Sequence, residues 1–147
     1  MKMNRAMAEY LRTAPKADSL PAELSELLDE GFVEQDRCLL FRRFAKRLAT
    51  SSASDFPDKT GREAFVNHLH IDDYADVSGA PALAALGVSF AERLSAALSK
   101  LNEQCVVIVS TDDVSCSVRF HRRRDGEAWL ADDLESYRDD GIAVLET

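Results

Sequence analysis

Five apolar residues in a row, Cys105-Val106-Val107-Ile108-Val109, constrain this chain more than any other stretch. All but the first are β-branched, so the run reads as a strand buried on both faces and central in a sheet. Ser110-Thr111-Asp112-Asp113 follows as a tight turn. Val114, Cys116, Val118 and Phe120 then alternate with Ser115, Ser117, Arg119 and His121. Strand side chains point to opposite faces in turn, so this second run has one apolar and one polar face. The two runs together predict a β-hairpin.

Helices are expected around it. A short amphipathic segment from about Ala6 to Arg12 ends before Pro15. A second helix starts at Pro21, capped by Asp18 or Ser19, and stops at Gly31. Val33, Leu40, Phe44 and Leu48 follow helical spacing and predict a third. Leu83, Leu86, Phe90, Leu94, Leu98 and Leu101 mark a long helix. Gly87, with the capping-box pair Ser89 and Glu92, places its main part from about Ser89 to Asn102. Phe65 to Asp72 alternates and reads as a strand, with Thr60 and Glu63 spaced to cap a helical turn before it. Asp125-Gly126 and Asp140-Gly141 are turns. Trp129, Leu130, Leu134 and Tyr137 suggest a short helix on the sheet, and Ile142 to Leu145 a terminal strand. The expected fold is α+β: N-terminal helices, then a mostly antiparallel sheet of about four strands with helices packed mainly on one face. At 147 residues the chain suits a single domain. It divides into a helical half (about 1–50), a connecting loop (about 50–60) and a mixed half (about 61–147).

Composition excludes several functions. Only six glycines occur, never in a phosphate-loop arrangement, and no Gly-x-Ser-x-Gly elbow is present. No cofactor is expected. The three cysteines, Cys38, Cys105 and Cys116, lack zinc-ligand spacing and read as buried thiols of a reducing cytoplasm. The longest uncharged run, Val77 to Ala91, holds Gly79, Pro81 and Gly87 and is too short to span a bilayer, and no signal peptide is visible. Net charge is −8, which disfavours nucleic acid and suits a basic protein partner. The basic cluster of Arg119 with Arg122, Arg123 and Arg124 reads as a solvated strand end.

Two groups of residues could carry function. On a strand, His68, His70 and Asp72 project from one face, and His121 ends the neighbouring alternating run. His68, His70, Asp72 and His121 are therefore the candidate metal ligands. Without a metal, His68, His70 and His121 could act as general acid and base, with Arg119 or Arg122 stabilising a phosphorane, as in a hydrolase or ribonuclease. The second group is the acidic stretch Asp132 to Asp140, where Asp132, Asp133, Glu135, Tyr137, Asp139 and Asp140 form a candidate partner-binding patch.

In size, acidity and lack of a catalytic signature, the chain is similar to the broad class of bacterial immunity and antitoxin proteins. That similarity is one of style and transfers no residue roles. It implies a cytoplasmic, non-enzymatic inhibitor that covers a basic toxin or nuclease. The histidine-dependent hydrolase is the alternative reading. A homodimer through an open sheet edge near Ile142 to Leu145 is a third.

Overall fold

A computed structural model describes residues 1–16 and 19–147. The central run forms β5 (Cys105–Thr111), hydrogen-bonded on one side to β6 (Cys116–Arg122) and on the other to β7 (Gly141–Glu146). Two short strands flank these, β1 (Lys2–Met3) beside β7 and β4 (Leu69–His70) beside β6. The sheet thus has five strands in the order β1-β7-β5-β6-β4, every pair antiparallel. Because β1 pairs Lys2 with Val144 and Met3 with Ala143, the edge expected to be open near Ile142 is occupied.

The apolar face of the hairpin is the core. Cys105, Val107, Val109, Cys116, Val118 and Phe120 are all buried there beneath α1 (Arg5–Thr13) and α5 (Ala80–Lys100). Helix α5 runs unbroken for 21 residues and does not begin at Ser89. Pro81 sits in its first turn, where no N–H is missed. Gly87 does not interrupt the helix. A Cβ there would lie 2.5 Å from Cys116 Sγ and 3.0 Å from Val109 Cγ1, so the missing side chain lets helix and sheet approach closely. Helix α5 is long and apolar enough to cross a membrane by length and composition, but its leucines and Phe90 line this core.

The N-terminal part departs from the expected helices. Helix α2 (Ala22–Glu30) ends at Gly31 with φ +78°, as the sequence implies. Pro21 is its N-cap and no side chain bonds there, so Ser19 is not the cap, and Asp18 lies outside the described residues. The segment read as a third helix is a second hairpin, β2 (Phe32–Gln35) with β3 (Cys38–Phe41). Its two-residue turn, Asp36-Arg37, has positive φ at both positions (49° and 62°), the geometry that matches strand twist. Two short turns follow it, a 3-10 turn at Arg42–Phe44 and α3 (Arg47–Thr50). The expected 50–60 loop holds a short 3-10 turn at Ala53–Asp55 and the start of α4 (Lys59–Val66).

Helix α4 also takes Phe65 and Val66 from the expected strand, of which only Leu69–His70 is β4, and Ile71–Asp73 is a 3-10 turn. Asp58, not Thr60, caps the helix by accepting from Gly61 N at 2.7 Å. One turn apart on its inner face, Glu63 and Asn67 are fully buried. Glu63 accepts from Leu39 N on β3 (2.7 Å) and from Arg122 N on β6. Asn67 accepts from Phe41 N (3.0 Å) and donates to Leu39 O (2.8 Å) and Phe120 O (3.3 Å). The two side chains satisfy backbone groups of both sheets, and Arg124 balances the Glu63 charge at 3.0 Å.

Residues 123–140 run along the other sheet face, with Trp129 at Arg119 and others around Val106, Ile108 and Val144. They do not form the expected Trp129–Tyr137 helix, only a 3-10 turn at Leu134–Ser136. Side chains here bond nearby backbone instead. Asp133 accepts from Glu135 N, Ser136 Oγ donates to Asp133 O, and Tyr137 OH accepts from Ala131 N. Such local bonds compete with helix formation.

Glu63→Gln is expected to lower stability to urea by about 3 kcal/mol or more, because Arg124 and the buried N–H groups lose their anion. Gly87→Ala should destabilise despite a helix-propensity gain of about 1 kcal/mol, since overpacking costs about 1–3 kcal/mol. In a Cys116→Ala background the same change should become neutral or stabilising, read from the same urea curves.

Candidate functional site

Strand β4 is only two residues long, but its register decides where the histidines lie. His70 pairs with Ser117 and Leu69 with Val118, which sets His68 opposite Arg119. His68, His70, Ser117, Arg119 and His121 therefore share the sheet face turned away from α5, as the alternation suggested. The His68 and His70 rings are 4.7 Å apart. Asp72, in a 3-10 turn at Ile71–Asp73, is engaged elsewhere. It accepts from Cys116 N (2.9 Å) and Ser115 Oγ (3.2 Å), and Ser115 Oγ also meets His70 Nδ1 at 3.1 Å. Burial would raise the Asp72 carboxyl, but these hydrogen bonds outweigh it and hold it below its usual value.

His121 does not join the pair. It is 3% exposed, and its Nδ1 donates to Arg122 O at 2.8 Å. Its ring borders a groove of about 350 Å³ beneath Trp129, floored by Val106, Ile108 and Val144. Among the described residues no three His, Cys, Asp or Glu side chains come together as metal ligands, so His68, His70, Asp72 and His121 are not one ligand set.

The electrostatics of His68 run against acid–base work at neutral pH. Burial, reinforced by Arg119, His70 and Arg47, lowers His68 to about 4, so its ring is neutral. Its Nε2 is buried with no partner. Burial also lowers His121. The cysteines are inert as nucleophiles: burial raises all three thiols, Cys105 and Cys116 to about 12.

The arginines separate into structural and unengaged ones. Arg122 is not a solvated strand end but bonds Glu103 (2.8 Å) and Glu34 (2.5 Å). Arg124 holds Glu63. Arg119 stacks on Trp129, 4.4 Å from the ring centre. Burial pulls its guanidinium down to about 10.

The acidic stretch is at the surface, though partly committed. Asp132, Asp133, Glu135 and Asp139 are exposed, and Tyr137 and Asp140 half-buried. Glu135 accepts from Arg5 N (2.9 Å), and the Tyr137 hydroxyl is used within its own loop. Sequence reasoning took Asp112-Asp113 for a turn and nothing more. Because Thr111 pairs with Gly141, that turn adjoins Asp139-Asp140 at one end of the sheet. Burial first, then Asp112 and Asp139, raise the Asp140 carboxyl. The pairing of the terminal strand with β5 joins the two acidic turns, and no residue pattern announces that strand order.

A family model described as the uncharacterized protein PM0498 family matches residues 2–147. The chain belongs to that family. It is 30% identical over 125 residues to the uncharacterized protein PM0498 of Pasteurella multocida (strain Pm70), covering 77% of this chain and 75% of the relative. No solved structure matches. The family description carries no activity, so the chemistry of this PM0498-family chain rests on the geometry above.

The His68 shift sets a pH dependence with a definite sign. Between its ordinary value of 6.5 and about 4, the unfolded ring takes a proton that the folded ring refuses. This contribution is complete above pH 6.5 and is lost as pH falls toward 4. Discounted for partial exposure, it amounts to about 1 kcal/mol between pH 7 and 5. His68→Gln should lose that much less stability than the parent over the same interval in urea titrations, while His121 acts equally in both.

Proposed function

We propose that this chain is a non-enzymatic binding module that docks a basic protein on the acidic end of its sheet. One observation carries the reading. Asp112, Asp113, Asp139 and Asp140 converge there, and none of the four has a salt bridge among the described residues. The cluster is built on fixed backbone. Asp112 Oδ1 accepts from Val114 N and Ser115 N, and Asn4 Nδ2 donates to Asp140 O at 2.8 Å. A preorganised field of one sign speeds encounter with an oppositely charged partner and costs little ordering on binding. The net charge of −8 extends that field.

The neutral His68, the engaged His121 and the inert thiols favour binding over hydrolysis. An immunity or antitoxin-like inhibitor of a basic toxic enzyme is the sharpest form of the proposal. Three unpaired buried cysteines suit a reducing compartment such as the cytoplasm.

The test neutralises the cluster with Asp112→Asn, Asp113→Asn, Asp139→Asn and Asp140→Asn. The variant should fold at least as stably as the parent, since an asparagine at 112 keeps the acceptor for Val114 N and Ser115 N and the repulsion among the carboxylates is removed. Affinity capture with the parent should retain a protein of high pI that salt elutes, and the variant should retain none of it. A partner held equally by both proteins would refute the proposal.

A further inference from the structure

Five arginines of this chain are half-buried: Arg43, Arg62, Arg119, Arg122 and Arg124. Four of them meet a carboxylate within 4.0 Å, namely Glu30, Asp36, Glu103 with Glu34, and Glu63. Arg119 meets none, and none of its N–H groups has a hydrogen bond among the described residues. A half-buried cation without an anion is costly, and this chain has 26 carboxylate residues from which a partner could have come. The guanidinium is nonetheless held in place, stacked on Trp129. The strand register sets His68 beside it, and the Nε2 of His68 is sealed without a partner. His70 lies next to His68, and Ser117 between His70 and Arg119 on the same face. The surrounding charged groups are Arg47, which donates to His68 O at 2.8 Å, and Asp72, already occupied by Ser115 and Cys116.

We propose that this part of the β4–β6 face is a site for a tetrahedral oxyanion of the phosphate class, held by Arg119, His68, His70 and Ser117. The guanidinium fork offers two parallel N–H donors to two oxygens of one anion. On binding, rotation of the neutral His68 ring uncovers Nε2, which donates to a third oxygen without the ring taking up a proton, and Ser117 Oγ and His70 close the remaining side. Donors arriving from both strands suit a tetrahedral ligand better than a planar carboxylate. The ligand is a free phosphate or phosphomonoester, because the net charge of −8 repels a polymer of phosphodiesters. This site is distinct in residues and in sign from the acidic sheet end, so either proposal stands if the other fails.

Trp129 is the only tryptophan of the chain, and Arg119 lies on its ring, so its emission reports on the site directly. The full chain is titrated with inorganic phosphate at constant ionic strength set with chloride, and in parallel with acetate and with a short single-stranded oligonucleotide. The expected result is a saturable change in emission with phosphate in the millimolar range, and weaker or no saturation with acetate and the oligonucleotide. His68→Gln should weaken phosphate binding about tenfold. Arg119→Gln should abolish it, and Arg119→Lys, which keeps the charge and the stem, should show weak binding if the first variant folds poorly. No saturation up to tens of millimolar phosphate overturns the proposal. So does an unchanged response in the Arg119 variants, or saturation by the oligonucleotide alone.

Discussion

Between β3 and β6 two sheets approach each other with backbone groups that face no strand, and the side chains of Glu63 and Asn67 stand where a strand would. Four of the groups they satisfy are peptide N–H or C=O groups that would otherwise be buried without partners. Such orphaned groups cost about as much as a lost hydrogen bond each. The N-terminal hairpin is therefore fixed against the main sheet by the acid and the amide that α4 presents one turn apart, together with Phe41 against Phe120 and Glu34 on Arg122. The charge that comes with Glu63 then requires Arg124, and Arg124 in turn reaches Arg37 O at the β2–β3 turn. A single buried carboxylate thus organises a helix, two sheet edges and a turn.

This brace also explains which parts of the fold were legible in the sequence. The β5–β6 hairpin was plain, since four β-branched residues in a row and a strict alternation leave few other structures. The β2–β3 hairpin was not. Cys38 to Phe41 is buried at every position, so it shows no period of two, and Asp36-Arg37 lacks the glycine or asparagine that usually announces a two-residue turn. Val33, Leu40, Phe44 and Leu48 then mimic a helical spacing by coincidence. Phe65 misled in the opposite sense. It looked like an inward strand residue, yet it is 51% exposed, resting against Phe56 on the outside of α4. Gly87 resembled a break because its helix propensity is poor, and only the sheet beneath it shows what the missing side chain is for.

The candidate sites were legible to a similar degree. Alternation groups His68 with His70 and Arg119 with His121, and the β4–β6 register brings the two pairs to one face. Alternation could not show that Asp72 would turn inward to bond Cys116 N, or that His121 would spend its Nδ1 on Arg122 O. Ring protonation was equally hidden, since it depends on how much of His68 is covered. The acidic surface extends beyond the stretch that composition singled out, because proximity between Asp112 and Asp140 is created by strand pairing, not by sequence distance.

Asn4 links the two extremes of the chain. Its Oδ1 accepts from Met7 N, which starts α1, and from Ile142 N, which lies 138 residues away. Its Nδ2 reaches Leu134 O, Tyr137 O and Asp140 O. One amide thus ties the start of α1, the start of β7 and the loop before it to a single side chain, so that none of the three can shift without disturbing the other two.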